Sequence, residues 1–215
     1  MQRVTRIAVL LSGAGRGSNM RALIEACQRS DFPAAAALVV SPNPEVPALR
    51  LAQELGVPAL AIPAAVDEPA ERFETPLLLA LAEAQVDLIC LAGLMRKLSP
   101  AVLERYRNRI MNIHPALLPA FGGRGCYGRR IHEAVLECGA KFTGVTVHFV
   151  DEEYDHGPII AQTVVPVEDD DTPETLAARV LLEEHRLYPE AVRLFAEGRL
   201  RVDGRRVRTL TAEER

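Results

Sequence analysis

The sequence predicts an α/β fold built on an open, mostly parallel sheet with antiparallel strands in the C-terminal half. Three observations predict it. In the first half, continuous apolar runs, typical of strands buried on both faces, alternate with segments of helical periodicity. In the second half, strand-like runs are more frequent, which allows antiparallel pairs. Near the C-terminus, Asp203-Gly204 lies between two short β-type runs and predicts a hairpin at about residues 199–210.

The composition is that of one globular domain. The chain has 215 residues, of which 48% are hydrophobic and 25% are charged, so we expect residues 1–215 to form a single domain. No apolar run approaches the roughly 18 residues of a membrane span. A formal net charge of -4 argues against a protein that coats nucleic acid. The four cysteines form no C-x-x-C pair and follow no secretory signal, so we expect free thiols and a cytoplasmic location.

The first-half elements begin with a buried strand at residues 6–11 and a glycine-rich turn, after which Ser18 can cap a helix. Apolar residues from Met20 to Cys27 then form one stripe of that helix. Further strands are predicted at 35–40, 57–62 and 86–93, and further helices at 45–55, with Gly56 as its stop, and at about 70–85, with Pro76 inside it.

The second-half elements begin with a strand at 109–113, ended by Pro115. Thr172-Pro173 is a helix start, and that helix is predicted to run toward Phe195 with a break near Pro189. Between them the sequence predicts a short helix at 131–138, an alternating strand at 142–150 and a strand at 158–167. The order of strands and helices indicates a Rossmann-like sheet.

The glycine-rich loop Gly13 to Asn19 is the first candidate site, because it follows a buried strand and opens a helix. A helix N-terminus there offers unpaired N–H groups and a positive dipole end to a phosphate. The alternative is a tight turn that binds nothing. As a dinucleotide fingerprint the loop is a weak match, because the next strand ends at Ser41-Pro42 rather than at an acidic residue.

Asn112 and His114 form the second candidate. They lie two residues apart at the end of a strand, so both side chains face one way. An amide and an imidazole on one face can hold a developing oxyanion and move a proton. Taken alone, a histidine such as His114 is more often a structural, hydrogen-bonded residue.

Asp155 is the third candidate, in the turn Glu153 to Pro158 between two strands. A carboxylate beside an imidazole orients the ring and raises its pKa, although an Asp in this context is also an ordinary turn residue. The other histidines are interpreted as structural, and no pair has metal-ligand spacing, so we expect no metal. Those histidines are His132, His148, His156 and His185.

These segments occur together in a pattern that resembles the phosphoribosylglycinamide formyltransferase family. The resemblance covers about residues 6–200. It is carried by the loop from Ser12 to Asn19, LAGLMRKLSP (91–100), NIHPALLPAFGG (112–123), GVTVHFVDEEYDHGPII (144–160) and EEHRLYP (183–189).

The resemblance implies transfer of a formyl group from 10-formyltetrahydrofolate to the amine of glycinamide ribonucleotide, in purine biosynthesis. The ligand spacing, the net charge and the lack of a long apolar run add the expectations of no metal, no nucleic acid and no membrane, and we expect a monomer or homodimer. The resemblance puts Asn112, His114 and Asp155 in catalysis, with His114 protonated by virtue of Asp155. It implies that the substrate phosphate binds Gly17, Ser18 and Asn19, and that the ribonucleotide also contacts Glu184. It implies that the folate binds Met95, Arg96, Lys97 and Leu98, together with Asn112.

Three features depart from the family pattern. The first loop is two residues longer than the common form, Gly122 to Gly128 differs from the most familiar one, and Ala70 occupies the position of a family arginine near the folate tail. The alternative functions are a formyltetrahydrofolate deformylase and a folate-binding module without transferase activity. A deformylase of this kind carries an additional N-terminal domain, for which a first strand at residue 6 leaves no room. The presence of all three catalytic residue types argues against a module that only binds folate.

Overall fold

Parallel strands form the centre of the first of the two units into which the chain divides, residues 1–111 and 112–215. The computed structural model describes residues 3–12, 17–65, 68–211 and 214. The first unit contains β1 (Thr5–Leu10), α1 (Ser18–Cys27), β2 (Ala34–Ser41), α2 (Pro47–Glu54), β3 (Ala59–Ala61), α3 (Ala70–Glu83), β4 (Leu88–Leu91) and α4 (Pro100–Arg105). Its strands run in the order β3-β2-β1-β4, and each of these pairs is parallel.

The continuous apolar runs explain why these strands lie at the centre. Ile7, Val9 and Leu10 of β1 and Ile89 of β4 are completely buried, as expected for strands covered on both faces. β5 (Ile110–His114) begins in the first unit and ends in the second. It therefore brings the segment Asn112 to His114 directly after a buried strand segment.

The start of α1 differs from the prediction that Ser18 caps it. Ser18 is the first helical residue, and Gly17 is the N-cap, with a left-handed backbone at φ 72° and no side-chain capping bond. A Cβ on Gly17 would lie 2.7 Å from the Cβ of Ala48. Glycine is therefore required here both by the backbone conformation and by the close approach of α2.

Two prolines do not interrupt their helices. α3 continues through Pro76, and the long helix α6 (Pro173–Ala196) continues through Pro189, so the predicted break is wrong. In α6 the flanking residues Tyr188, Ala191 and Val192 are completely buried. Burial of that apolar face outweighs the hydrogen bond that the proline removes.

The second unit combines antiparallel and parallel pairs. Besides α6 it contains α5 (Arg129–Glu137), β6 (Phe142–Phe149), β7 (Ile159–Pro166), β8 (Leu200–Asp203) and β9 (Arg206–Thr209). The pairs β6–β7 and β8–β9 are antiparallel, and β7–β9 is parallel. The predicted fold class, mostly parallel with antiparallel strands in the C-terminal half, is confirmed. Among the residues that the structure describes, no helix is long and apolar enough to cross a membrane.

Candidate active site

The end of β5 presents two polar side chains on one face. Asn112 is half-buried and His114 is buried, and their two-residue spacing on a strand directs both side chains the same way. The intervening Ile113 is buried. The strand thus carries an amide and an imidazole at the point where its apolar core ends.

The His114 ring is held by the loop that follows β5. Its Nε2 lies 2.9 Å from the carbonyl oxygen of Phe121. Because a carbonyl can only accept, Nε2 carries the proton and donates it. The Nδ1 atom of the neutral ring is then the proton acceptor. The contact therefore decides which nitrogen of His114 can take up a proton.

Asp155 faces that Nδ1 atom. Its Oδ1 lies 3.5 Å from His114 Nδ1, and its Oδ2 accepts a hydrogen bond of 3.0 Å from the backbone N–H of Gly123. Asp155 has a left-handed backbone, with φ 53°, a conformation that aspartate adopts more readily than most residues. A carboxylate so placed stabilises a positive charge that arrives on the imidazole.

His148 belongs to the same cluster, although the sequence analysis interpreted it as structural. Its Nδ1 lies 2.8 Å from the Phe149 carbonyl and so donates to it, which leaves Nε2 as the acceptor in the neutral ring. That Nε2 lies 3.2 Å from Asn112 Nδ2 and 3.7 Å from Asp155 Oδ1. His148 thus fixes the orientation of the Asn112 amide. Its place near the end of a buried strand, seven residues before Asp155, is the signal that could have identified it.

Burial sets the protonation of this cluster. It lowers the pKa of His114, and this effect outweighs Asp155 and the Phe121 carbonyl, which raise it. The sequence analysis expected a cationic His114, whereas a lowered pKa favours the neutral ring. For Asp155, burial raises the pKa, but His148, His114 and the Gly123 N–H together hold it below its usual range. The site therefore combines a neutral imidazole with an ionised carboxylate.

The Thr146 hydroxyl holds the backbone of residues 116–118, just after His114, by hydrogen bonds. Thr146 on β6 donates from Oγ1 to the Ala116 carbonyl at 2.7 Å and accepts from the Leu118 N–H at 3.1 Å. Gln162 on β7 donates to the same Oγ1 and to the Leu118 carbonyl, both at 3.0 Å. The hydroxyl therefore uses its donor and both lone pairs. This network fixes the segment that leads to the Phe121 carbonyl.

The first unit brings together the start of the glycine-rich loop and the predicted folate segment. The Oγ of Ser12 accepts a 2.7 Å hydrogen bond from the Met95 N–H, and the Ser12 N–H donates to the Gly93 carbonyl at 3.2 Å. Residues 13–16 lie outside the described residues. Gly17 to Asn19 form the N-terminus of α1, so their backbone N–H groups have the helix-end character that the phosphate prediction requires.

The four predicted folate residues differ in exposure. Met95 and Lys97 are exposed, whereas Arg96 and Leu98 are buried. The Arg96 guanidinium donates to the Ala65 carbonyl and lies 5.5 Å from the centre of the Phe73 ring. The Arg96 side chain therefore anchors this segment to the rest of the first unit.

The second unit buries further polar side chains, among them Glu184 and His132. Glu184, predicted to bind the ribonucleotide, is buried on α6. His132 is buried on α5, where burial lowers its pKa and protonation of His114 lowers it further. Within the described ranges, no group of three or more His, Cys, Asp or Glu side chains is arranged to hold a metal ion.

Comparison with known proteins decides the family. The model of the formyl transferase family matches residues 5–192. The chain belongs to this family. It is 43% identical over 94% of its length to the chloroplastic phosphoribosylglycinamide formyltransferase of Vigna unguiculata and spans 65% of that protein. To the phosphoribosylglycinamide formyltransferase of Escherichia coli (strain K12) it is 36% identical, over 91% of this chain and 89% of the other.

A solved structure agrees with these relatives. Glycinamide ribonucleotide transformylase 1 from Symbiobacterium toebii superimposes with a TM-score of 0.90 at 44% identity, covering 98% of this chain and 96% of the other. The resemblance to the phosphoribosylglycinamide formyltransferases is thereby confirmed. Asn112, His114 and Asp155 all belong to one cluster of this formyl transferase.

Proposed function

We propose that the protein transfers the formyl group of 10-formyltetrahydrofolate to the amine of glycinamide ribonucleotide, a step of purine biosynthesis. The observation that carries the proposal is the 3.5 Å approach of His114 Nδ1 to the ionised Asp155, next to the amide of Asn112. The relatives named phosphoribosylglycinamide formyltransferase, at 36% and 43% identity, support it. The substrates are both small molecules.

In this proposal Asn112 stabilises the oxyanion. When the amine attacks the formyl carbon, a nitrogen–carbon bond forms and the carbonyl oxygen gains negative charge. One N–H of the Asn112 amide points to His148, and an amide nitrogen carries two. The second N–H donates to the oxyanion, a contact that strengthens as charge develops.

His114 moves the proton. The attacking amine becomes positively charged and gives a proton to the neutral ring at Nδ1, since Nε2–H is held by Phe121. Asp155 stabilises the imidazolium at 3.5 Å. The proton then passes to N10 of the folate as the bond between N10 and the formyl carbon breaks. The result is formylated amine and tetrahydrofolate, with no net uptake of protons.

Substrate binding is assigned to three further segments. The phosphate binds Gly17, Ser18 and Asn19 at the N-terminus of α1, and the buried Glu184 contacts the remainder of the ribonucleotide. The folate binds the segment Met95 to Leu98, as well as Asn112. Support comes from the helix-end backbone of α1 and from the hydrogen bond that fixes Met95 to Ser12.

The test is an assay of the purified protein with 10-formyltetrahydrofolate and glycinamide ribonucleotide, comparing wild type with His114→Ala. We expect formylated ribonucleotide from the wild type and a fall of about 10²–10⁴-fold in kcat for the variant, the usual contribution of a general acid–base. Its circular dichroism and Tm serve as the folding control. A folded His114→Ala protein with wild-type turnover would contradict the role of His114.

Four broader proposals accompany this function. Residues 1–215 act as one formyltransferase domain, which the family match across both units supports. The protein works in the cytoplasm, in keeping with four free thiols, and binds no nucleic acid, in keeping with its negative net charge. It is a monomer or homodimer, which light scattering coupled to size-exclusion chromatography measures directly.

A further inference from the structure

The loop that carries Asp155 is fastened at its two ends. It connects β6 to β7, and the Phe149 N–H donates to the Pro158 carbonyl at 2.9 Å across its base. A Cβ on Gly157 would lie 1.9 Å from the Phe149 carbonyl oxygen, so the two ends approach as closely as backbone allows. Closing the base leaves Asp155, with its left-handed backbone, near the end of a short closed loop.

A chain of three polar side chains joins this loop to the C-terminal hairpin. His156, which follows Asp155 directly, has its Nδ1 2.8 Å from Asp151 Oδ2. Arg205, in the turn between β8 and β9, donates from Nη2 to the His156 carbonyl at 2.8 Å. Its Nη1 also contacts the His156 ring. The hairpin thus binds both the backbone and the ring of the residue next to Asp155.

These three side chains place the His156 ring between a carboxylate and a guanidinium. Asp151 is an acceptor, so His156 Nδ1–H donates to it, and His156 Nε2 is then an acceptor facing the Arg205 guanidinium. Asp151 also accepts from the Glu153 N–H at 2.9 Å. The Arg205 Nη1 atom lies against both ring nitrogens, so the guanidinium holds the ring as well as the backbone of His156.

We propose that Arg205, acting through His156 and Asp151, is a positioning residue that holds the Asp155 loop so that the carboxylate faces His114. The hairpin lies beyond residue 192, where the family match ends. Its turn carries Arg205, whose guanidinium is the positive group of this contact. β9 pairs with β7 at Ile159 and Arg206, which brings the turn to the start of β7. Surface ion pairs add little stability by themselves, so the effect expected here is on geometry at the catalytic carboxylate.

This inference rests on the proposed catalytic role of Asp155, and the experiment separates the two. The steady-state kinetics of the wild type, Arg205→Ala, Arg205→Lys and Asp155→Asn are compared with those of Arg206→Ala. Arg206 is an exposed arginine of the same hairpin, so its loss removes the same charge. We expect Arg205→Ala to lower kcat about 10-fold with both KM values within about twofold, since small misplacements of catalytic groups cost rate.

The remaining variants sharpen that test. Arg205→Lys keeps one donor for the His156 carbonyl and should recover part of the lost kcat, whereas Arg206→Ala should match the wild type. His156→Ala should resemble Arg205→Ala, and the double variant should be no slower than either, because linked residues act as a unit.

Three outcomes would overturn the inference: wild-type kcat in Arg205→Ala, an equal loss in Arg206→Ala, or multiplicative losses in the double variant. If Asp155→Asn retains wild-type kcat, the proposed role of Asp155 fails instead. Loss of activity in Asp155→Asn with wild-type kcat in Arg205→Ala refutes the positioning role alone.

Discussion

At the scale of single residues, the proposed chemistry depends on which nitrogen of His114 carries the proton. The Phe121 carbonyl assigns the proton to Nε2, so the proposal places proton uptake at Nδ1, the atom that faces Asp155. Burial keeps the ring neutral, and the carboxylate partly offsets that burial. A neutral ring is the form that a proton acceptor needs before the amine attacks.

Replacing Asp155 tests this balance. In Asp155→Asn the charge that raises the pKa of His114 is removed while burial remains, so the pKa of His114 should fall further below its usual value. Asparagine also tolerates the left-handed backbone of this position, so the fold should be retained. Turnover should be lost because the imidazolium loses its counter-charge. An NMR titration in which the His114 resonances report the same pKa in both proteins would contradict the coupling.

Acid should destabilise the folded protein through its buried histidines. The pKa values of His114 and His132 are lowered in the folded state, whereas in the unfolded chain a histidine titrates near about 6.5. Below that pH the unfolded state binds more protons, so the free energy of unfolding falls as the pH falls. The lowered pKa of Asp155 acts in the same direction, but only in more acidic solution, as the pH falls below the usual range for Asp.

Urea denaturation at pH 7.5, 6.5 and 5.5 measures this effect. His132→Gln serves as the comparison, since it removes one of the two titrating groups and should flatten the dependence on pH. A free energy of unfolding that increases as the pH is lowered from 7.5 to 5.5 would show that burial does not control the pKa values of these histidines.

At the scale of elements, the N-terminus of α1 is the predicted phosphate site, and Ser18→Asp tests it. Ser18 is the first helical residue, where a carboxylate stabilises a helix by about 0.3–1 kcal/mol through the dipole. The variant should therefore unfold at an equal or higher temperature, yet bind the ribonucleotide more weakly because its carboxylate repels the phosphate. Calorimetric titration should show little change for folate. Equal weakening of both ligands would mean that the loop has another role.

Helix boundaries show where tertiary packing overrides local signals. The break predicted at Pro189 does not occur, because α6 buries Tyr188 and Ala191 on either side of it. Conversely, α4 was not predicted, although Ser99-Pro100 is a recognisable helix start. The buried Glu74 accepts from the N–H of Ser99 at 2.7 Å, a long-range contact that a local pattern does not contain.

At the scale of the whole molecule, the sequence predicted the fold class and the order of most elements, because periodicity and glycine positions encode them. It also selected Asn112, His114 and Asp155, because polar residues after buried strands are unusual enough to be noticed. It missed His148 in the cluster, and it expected a cationic His114 ring where burial lowers the pKa. Both depend on burial and on contacts between strands, which residue spacing does not report.

The last prediction concerns the whole reaction and distinguishes a transferase from the deformylase alternative. Without glycinamide ribonucleotide, the protein should release little formate from 10-formyltetrahydrofolate. In the proposed function, a phosphate anchor at Gly17 to Asn19 and a contact from Glu184 serve a ribonucleotide, and a water molecule gains nothing from either. Holding the amine against the formyl carbon can lower the barrier by up to roughly 7–11 kcal/mol in ideal cases, so transfer should exceed hydrolysis by orders of magnitude.

The measurement follows tetrahydrofolate, formate and formylated ribonucleotide with and without the amine substrate, and Ser18→Asp should lower only the amine-dependent rate. Formate released equally fast in both conditions, without formylated product, would identify the protein as a hydrolase.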